Sequence, residues 1–495
     1  MKFDNTYRNL PDRFYAEASP ASFSKPKLLV FNERLSNELG LNLGSQSDSD
    51  LALLFSGQQL FEGSHPIAQA YAAHQFGHFV PQLGDGRAML LGEVVDPSGG
   101  RFDIQLKGSG RTVFSRDGDG YSALGPVIRE YIVSEAMHHL GIPTTRALAA
   151  VATGDLVYRE APFPGAVFTR IASSHIRIGT FQYFAARGDT DGLNALLDYS
   201  IDRHYPEIKT EAQGVRNRIT PAIYFLRKVI HAQVSLVSHW MALGFIHGVM
   251  NTDNMSISGE TIDYGPCAFM DNFDFNKVYS SIDRGGRYSY INQGSIVHWN
   301  LSRLADCLIP LVDTDEKKAI GMLNDELSTI SDLFSNHWSA RMKKKLGLIS
   351  DQSNSNEDEK LVEMWLDYLE KEKIDFTLSF RKLADLLDGS ENKQDSFFRA
   401  TTEFKEFHAA WKKKLRDQSV DLDKAKEQMN VVNPIYIPRN HQVERAIQHA
   451  IEGDLSVFNE MNQVLKYPNV HHSGLDFYRI APSPEEEVMQ TFCGT

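Results

Sequence analysis

The chain changes from strand-like to helical patterns along its length. Between about residues 80 and 110 the segments GDGRAMLLGEVV and GGRFDIQLKGSGR combine strand-like runs with glycine turns. From about residue 190 onward the pattern is mostly helical. Strands followed by a long run of helices indicate an α+β fold, in which a small β-rich part precedes a larger helical part.

The length of 495 residues allows two to four domains at roughly 150 residues each. The segment LISDQSNSNEDEK is polar and charged without periodicity, which predicts a loop or linker. The predicted units are an N-terminal extension at 1–80, a β-rich N-lobe at 81–185, a helical C-lobe at 186–347, the linker at 348–360 and a helical C-terminal region at 361–495.

Composition excludes several classes of function. The 51 Lys+Arg against 64 Asp+Glu give a formal net charge of −13, which argues against sequence-independent nucleic-acid binding. Three scattered cysteines are too few for a disulfide framework or a zinc site. The first twenty residues are charged and lack an apolar leader core. We therefore expect a protein of the cytoplasm that binds no nucleic acid.

The most apolar stretch is residues 234–250, which is shorter than the ~20 apolar residues that a membrane span needs. Ile230, Val234, Val237 and Met241 recur at intervals of four, three and four. This spacing predicts a helix that packs one face on a core. We expect no membrane association.

Two features in the strand-rich segment suggest contacts with phosphate. The turn Gly84-Asp85-Gly86-Arg87 offers backbone N–H groups and a guanidinium, although Asp-Gly is also a common turn in a plain hairpin. In the run FDIQLK at 102–107, apolar and polar residues alternate, which places Lys107 on the polar face of a half-buried strand.

A helix is predicted over about 126–140, from Pro126 to the stop at Gly141. Glu130 lies on a partly apolar face of this helix, and a buried carboxylate without a partner is costly. A cation is therefore expected beside Glu130. A strand lysine followed by a helix glutamate is the ion pair with which protein kinases orient a lysine onto ATP phosphates.

The segment 247–265 carries the clearest motifs. It reads HGVMNTDN and then DYG, where kinases have H-R-D-x-x-x-x-N and D-F-G. We expect residues 255–264 to form a hairpin that turns at Gly259-Glu260 and pairs Ile257 with Ile262. Asn254 and Asp263 would then lie close together, and their oxygens suit Mg²⁺ bound to phosphates.

One kinase element is missing, because Val249 occupies the position of the catalytic aspartate. Asp253 lies on the same loop and is the substitute carboxylate. Three interpretations remain open on these residues: a transferase with different chemistry, a protein kinase that uses Asp253, and a non-catalytic ATP-binding scaffold.

The chain closely resembles the selenoprotein O (SelO/YdiU) family. The resemblance rests on long segments spread over most of the sequence. They read YAAHQFGHFVPQLGDGRAMLLGE, QLKGSGRTVFSRDGDG, REYIVSEAMHHLGIPTTRAL, HGVMNTDNMSISGETIDYGP and NPIYIPRNHQVERAIQHAIEGD. Val113, Asp117 and Ala73 depart from the common family pattern, and none of them replaces a proposed ligand.

The resemblance implies a kinase-like bilobal fold and a protein adenylyltransferase. Such an enzyme binds ATP flipped relative to kinases and transfers AMP to Ser, Thr or Tyr hydroxyls of proteins. A Mn²⁺-dependent uridylyl transfer is a near variant. The implied partners are ATP and protein substrates, the cofactor is Mg²⁺ or Mn²⁺, and we expect a monomer.

The resemblance also assigns roles to individual residues. Asp253 would accept the proton, Glu130 would orient Lys107, and Asn254 and Asp263 would bind the metal. The nucleotide would contact Gly84, Gly86, Arg87, Lys107, Asp119, Gly120, Arg170, Arg177 and Asp263.

Two further pairs of residues invite a prediction. Cys493 lies where some family members carry selenocysteine, and Cys267 follows the DYG motif closely, so the two could form a regulatory disulfide. His74 and His78 have the spacing of a metal pair, but without an HExxH motif we interpret them as packing or capping residues.

Overall fold

The computed structural model describes residues 3–210, 220–348, 356–388 and 397–492. Its helices and strands confirm the α+β class. A strand-rich part that contains one long helix comes first in the chain, and a helical part follows.

An antiparallel sheet dominates the first part. Its strand order is β1-β3-β6-β7-β10-β9-β2, with β8 beside β10. Because β1, β2 and β3 come from the first 80 residues, the predicted N-terminal extension contributes strands to the sheet. The strands are β1 (Tyr15–Glu17), β2 (Lys27–Phe31), β3 (Ile67–Gln69), β4 (Ala73–Gln75), β5 (His78–Val80), β6 (Ala88–Val95), β7 (Arg101–Lys107), β8 (Ser122–Ala123), β9 (Arg146–Tyr158), β10 (Pro162–Ala172), β11 (Phe245–Ile246) and β12 (Ala268–Phe269).

Strand β7 forms because its residues alternate between two environments. Ile104 and Leu106 are fully buried in an apolar cluster with the helices of the N-terminal segment. Lys107 lies on the opposite face, as the alternation predicts. The polar face is buried too, so its side chains must pair with polar groups of other elements rather than with water.

Helices occur in both parts of the chain, and most of them follow the strand-rich part. They are α1 (Glu33–Glu38), α2 (Asp48–Ser56), α3 (Leu124–His139), α4 (Ile178–Ala185), α5 (Thr190–His204), α6 (Pro221–Ala242), α7 (Gln293–Val312), α8 (Glu316–Ser328), α9 (Ile330–Lys345), α10 (Asn356–Glu372), α11 (Phe376–Asp385), α12 (Thr402–Asp417), α13 (Leu422–Val432), α14 (Asn440–Ile451) and α15 (Ser456–Leu465).

Helix α3 carries Glu130 and joins the sheet to the C-terminal region. It begins at Leu124, two residues before the predicted start at Pro126. After its last residues Gly141 adopts a left-handed φ of +78°, which suits glycine and ends the helix as predicted. Residues of α3, α14 and α15 share one apolar cluster, which fixes the helix behind the sheet.

Helix α6 confirms the predicted buried helix. Ile230, Val234, Val237 and Met241 are all buried, and Pro221 begins the helix, where its fixed φ suits the first turn. The helix ends at Ala242, so residues 245–246 of the same apolar stretch form strand β11 instead. Within the described ranges, no helix combines the length and the apolar character that a membrane span requires.

The predicted hairpin at 255–264 is wrong in its pairing. Ser256 bridges Arg177 and Thr261 bridges Thr144, so each half of the segment pairs with a different neighbour. The chain does turn at Gly259, whose N–H donates to the Ser256 carbonyl at 3.2 Å. Backbone partners from the sheet-containing part outcompete the local pairing of Ile257 with Ile262.

The predicted linker at 348–360 is partly helical. Residues 349–355 lie outside the described residues, and α10 begins at Asn356. Glu357, Asp358 and Glu359 lie in the first turn of that helix, where acidic side chains complement the helix dipole. The charge run is therefore a helix start as well as a connection.

Candidate active site

A cleft of about 720 Å³ lies between the sheet with α3 and the loops that follow β11. One wall comes from β6, β7, β10 and α3, and the other comes from residues 249–254 and 263–266. The predicted nucleotide, metal and catalytic residues all line this cleft. They are Gly84, Gly86, Arg87, Lys107, Asp119, Gly120, Glu130, Arg170, Arg177, Asp253, Asn254 and Asp263.

The Lys107–Glu130 ion pair is present. Lys107 Nζ donates to Glu130 Oε2 at 2.6 Å and to Asp263 Oδ1 at 2.8 Å. Only 8% of Lys107 and 4% of Glu130 is exposed. A buried carboxylate of α3 thus holds the strand lysine against the floor of the cleft, as the kinase-like pattern predicts.

Arg170 adds a second buried cation. It lies on β10, directly opposite Gln105 of β7 in the strand register. Its Nη1 donates to Asp263 Oδ1 at 2.6 Å, and its Nε donates to Gln105 Oε1 at 2.7 Å. Only 1% of the residue is exposed, so its direction is set by these contacts.

Arg177 adds a third buried cation at the N-cap of α4. Its Nη2 lies 4.0 Å from Asp263 Oδ2, and its guanidinium lies 4.4 Å from the centre of the Tyr71 ring. Its Nη1 donates to the His175 carbonyl at 3.0 Å. Arg177 Nε is buried and has no hydrogen-bond partner among the described residues. An unpaired buried donor of this kind marks a place where an anion would gain contacts.

Asp263 is the point on which the three cations converge. Burial opposes its ionisation, but Arg170, Lys107 and Arg177 outweigh burial and hold the pKa of its carboxyl well below the ordinary value. Its backbone has a φ of +63°, an uncommon conformation for a residue other than glycine. That strain is tolerated because it directs the carboxylate at the cations.

Asp253 lies in a short 3₁₀ turn, Thr252–Asn254. Its Oδ2 accepts from Gln75 Nε2 at 3.3 Å, whereas its buried Oδ1 has no hydrogen bond to any described residue. Burial raises the pKa of this carboxyl to about 6, although Arg177 opposes the shift. Val249 lines the same cleft and has no acceptor atom in its side chain. Asp253 is therefore the carboxylate of this loop that can take a proton.

Asn254 and Asp263 offer oxygens on the same side of the cleft. Asn254 Nδ2 donates to the Val249 carbonyl at 2.9 Å, which leaves Oδ1 without a hydrogen bond to the described residues. The Nε2 of His247 bonds to the carbonyl of Ile262 at 2.9 Å and ties the two segments together. These hard oxygens fit a Mg²⁺ or Mn²⁺ ion that also binds substrate phosphates, since Mg²⁺ uses few protein ligands.

The glycine turn is required mainly by packing. Gly84 has a φ of +79°, and a Cβ there would lie 2.3 Å from Phe114 Cγ. A Cβ at Gly86 would lie 2.9 Å from the Phe114 carbonyl oxygen. The turn thus lies against residues 112–115, and this contact places Arg87 at the cleft.

Asp119 and Gly120 line the cleft opposite that turn, but Asp119 is already paired. Its carboxylate accepts from Arg159 at 2.7 and 3.0 Å and from the Tyr121 N–H at 3.0 Å. The Arg159 hydrogen bond holds the pKa of Asp119 below its ordinary value. A Cβ on Gly120 would lie 2.2 Å from the Gly110 carbonyl carbon, so glycine is required there.

Four residues of the site were missed in the sequence analysis. Gln105 follows from the same alternation as Lys107, because both lie on the polar face of β7. Asp85 was interpreted only as a turn residue, and its burial gives it another role. Tyr71 and Gln75 carry no local signal, since their contacts with Arg177 and Asp253 come from distant parts of the chain.

The histidine pair does not form a metal site in the structure. His74 Nδ1 bonds to Gln182 Nε2 at 2.7 Å, and its ring lies edge-on to Trp299, while His78 is exposed. Across the described ranges, no cluster of three His, Cys, Asp or Glu residues could hold a metal. The packing interpretation of His74 is confirmed.

Cys267, the first of the two predicted redox cysteines, is buried directly after residues 263–266 of the cleft wall. Cys493 lies outside the described residues. Thr491, two residues earlier, donates through its Oγ1 to the Pro266 carbonyl at 2.7 Å. Residue 491 therefore lies close to the segment that contains Cys267, and the disulfide stays a prediction.

Acid stability should depend on His175, which lies behind the cleft. Burial lowers its pKa to about 4, although Asp103 accepts from its Nδ1 at 2.9 Å. From pH 6.5 down to about 4 the unfolded chain binds a proton at His175 that the folded chain does not, so this group lowers stability as the pH falls. His175→Asn keeps an N–H donor for Asp103 without the titration. The stability advantage of the wild type over this variant should shrink by at most about 1.4 kcal/mol per pH unit between pH 6 and 4.5.

Urea unfolding of both proteins at several pH values measures this difference. Above pH 7.5 the histidine is neutral in both states, so the difference should be constant there. Parallel stability curves down to pH 4.5 would contradict the assignment.

Taken together, the fold and the site define an α+β protein with a cleft in which three buried cations converge on Asp263. Clustered guanidinium and ammonium groups in such a cleft are suited to phosphate esters.

Comparison with known proteins identifies the family. Residues 1–466 match the family model described as Protein adenylyltransferase SelO. A Protein nucleotidyltransferase YdiU of Rhizobium meliloti (strain 1021) is 50% identical over 498 residues, which cover 100% of this chain and 99% of that protein. A Protein nucleotidyltransferase YdiU of Bacillus cereus (strain G9842) is 50% identical over 493 residues, covering 99% and 98%. The chain belongs to the SelO family.

Proposed function

We propose that this protein is a nucleotidyltransferase that moves AMP from ATP to Ser, Thr or Tyr hydroxyls of proteins and releases pyrophosphate. In this proposal the protein has a kinase-like bilobal fold. ATP binds in the direction opposite to that in kinases, with its β- and γ-phosphates deepest in the cleft. The names of the family and of the relatives support nucleotidyl transfer in general.

The observation that carries the proposal is the convergence of Lys107, Arg170 and Arg177 on Asp263 at the buried end of the cleft. Three cations in one place exceed what a single metal-bridged phosphate requires, and they suit a leaving group that carries several negative charges. The Nε–H group of Arg177 has no hydrogen-bond partner among the described residues. Guanidinium groups bind phosphate through two donors each, which favours arginine at this position.

The reaction then needs a proton acceptor near the other end of the triphosphate. The acceptor hydroxyl oxygen bonds to the α-phosphorus, and the bond from that phosphorus to the oxygen bridging to the β-phosphate breaks. The Asp253 carboxylate takes the hydroxyl proton, and the electron pair leaves with pyrophosphate. Lys107, Arg170 and Arg177 stabilise the charge on that leaving group.

A divalent cation held by Asn254 and Asp263 would supply further charge stabilisation at the phosphates. The donor set is small and consists of oxygens, so it suits both Mg²⁺ and Mn²⁺. A Mn²⁺-dependent uridylyl transfer from UTP is the near alternative within the same chemistry.

Two alternatives from other classes make different demands on the site. A protein kinase would place the γ-phosphate over Asp253, but Val249 occupies the usual position of its base. A non-catalytic scaffold would need neither Asp253 as a proton acceptor nor the side-chain oxygens of Asn254 and Asp263 as metal ligands.

ATP labelled at the α- or the γ-phosphate separates the three functions. Incubated with Mg²⁺ or Mn²⁺ and a mixture of proteins, the enzyme should attach label from the α position and not from the γ position. Attachment of γ label alone would establish the kinase, and no attachment under any condition would favour the scaffold.

We also propose that Cys267 and Cys493 form a disulfide that regulates activity. Thr491, two residues before Cys493 in the sequence, contacts Pro266, which directly precedes Cys267. Oxidation should change the transfer activity of the wild type severalfold, and Cys267→Ala and Cys493→Ala should each remove this response. Cys307→Ala is the matched control, because Cys307 is also buried but lies in helix α7. An unchanged oxidant response in both variants would end the proposal.

We also expect a cytoplasmic monomer that acts on proteins and not on nucleic acid or membranes.

A further inference from the structure

Gln105 lies behind the cleft wall and contacts both a cation and an acid. It is fully buried on β7, on the same face as Lys107, and it does not line the cleft. Its Oε1 accepts from Arg170 Nε at 2.7 Å, and its Nε2 donates to Asp85 Oδ2 at 3.1 Å. Because both ends of the amide are used, Gln105 can adopt one orientation only.

Asp85 continues this chain of contacts to the second arginine. Only 2% of the residue is exposed, and its Oδ2 also accepts from the Gln69 N–H at 3.1 Å. Its Oδ1 has no hydrogen bond to the described residues, but it lies 3.6 Å from Arg177 Nη1. Arg170, Gln105, Asp85 and Arg177 therefore form one continuous set of polar contacts, in which Gln105 lies behind the three residues that line the cleft.

Two buried guanidinium groups side by side repel each other, and each needs a nearby counter-charge. On the cleft side that charge is Asp263, which a bound metal would share. On the other side the acid is Asp85, which lines the cleft but is only 2% exposed and whose Oδ2 already accepts from Gln69 and Gln105. Because these contacts are made within the protein, we expect them to persist when the cleft is filled.

We propose that Gln105 and Asp85 are positioning residues that fix the spacing of Arg170 and Arg177 and so determine the affinity for the tail of the triphosphate. This inference rests on the proposed function, in which those arginines hold the β- and γ-phosphates. By this positioning, Gln105 and Asp85 make the site favour nucleoside triphosphates over monophosphates.

The test compares binding of ATP and AMP by isothermal titration calorimetry, using the full chain. Gln105→Leu should weaken ATP binding roughly 10- to 100-fold, since it removes a hydrogen bond to a charged group and the donor to Asp85. AMP lacks the tail, so its affinity should change less than about twofold. Gln442→Leu is the matched control, because Gln442 is also buried and accepts from Arg445, on α14. It should leave both affinities unchanged.

Asp85→Asn gives a second test if the leucine variant does not fold. It keeps the size of the side chain and an oxygen for Gln105 and Gln69, but it removes the charge that faces Arg177. ATP binding should again weaken at least about tenfold with AMP binding kept. Equal weakening of ATP and AMP, or no weakening of ATP, would overturn the positioning role.

The outcome is distinguishable from failure of the proposed function. Transfer of α label by the wild type tests the function independently of these variants. A wild type that transfers α label, together with variants that show no difference between ATP and AMP, would overturn this inference alone.

Discussion

Replacing Asp263 by alanine should reduce nucleotidyl transfer by about 10³-fold or more while metal-free ATP still binds. The carboxylate is the proposed metal ligand, and losing the metal's stabilisation of developing charge removes several kcal/mol from the transition state. It is also the counter-charge of Lys107, Arg170 and Arg177. With that charge gone, the three cations should bind the triphosphate at least as tightly as before when no metal is present.

The combination of lost activity and kept metal-free affinity is what distinguishes this variant from a damaged protein. Transfer is measured with α-labelled ATP, and binding is measured by calorimetry in EDTA. Asp325→Ala, at an exposed position on α8, is the control and should behave as the wild type. Full activity in Asp263→Ala would contradict the ligand assignment, and loss of metal-free ATP binding would contradict the role of the cations.

Replacing Asp253 by asparagine should reduce transfer by about 10²- to 10⁴-fold with little change in ATP affinity. This range is typical for removal of a positioned general base. Asp253 is partly exposed and lines the cleft, so its carboxylate can meet an incoming hydroxyl. An amide of the same size keeps a hydrogen bond with Gln75 and cannot accept the proton.

Single-turnover transfer and equilibrium ATP binding separate the two effects. Asp198→Asn, at an exposed position on α5, controls for the loss of one negative charge. Wild-type transfer by Asp253→Asn would show that another group accepts the proton. A parallel loss of ATP affinity would place Asp253 in nucleotide binding instead.

The parts of the fold that were predictable are those with a strong local period. The alternation in β7 correctly placed Lys107 opposite Ile104 and Leu106, and the stripe on α6 correctly predicted a buried helix. The end of α3 at Gly141 followed from glycine's tolerance of a positive φ. In each case the signal lies within about a dozen residues, and the tertiary contacts agree with it.

The failures come from pairings between distant segments. The hairpin at 255–264 was judged from its own residues, whereas Thr144 and Arg177 supply the actual backbone partners. The start of α10 at Asn356 was not predicted, because an acidic run is as typical of a solvated loop as of a helix N-terminus.

The site shows the same division. Lys107, Glu130, Asn254 and Asp263 could be proposed from motif order and spacing. The roles of Arg170 and Arg177 came from the family resemblance, since an arginine on its own is equally well explained as surface charge. Gln105 and Asp85 could not be assigned from the sequence, because their meaning depends on a cross-strand register and on burial that only the folded chain reveals.

The direction of the bound nucleotide is the most direct test of the whole account. A crystal structure with a non-hydrolysable ATP analogue and Mg²⁺ should show the β- and γ-phosphates against Lys107, Arg170 and Arg177, with the α-phosphorus on the side of Asp253. A structure in which the γ-phosphate points out of the cleft and lies over Asp253 would contradict it.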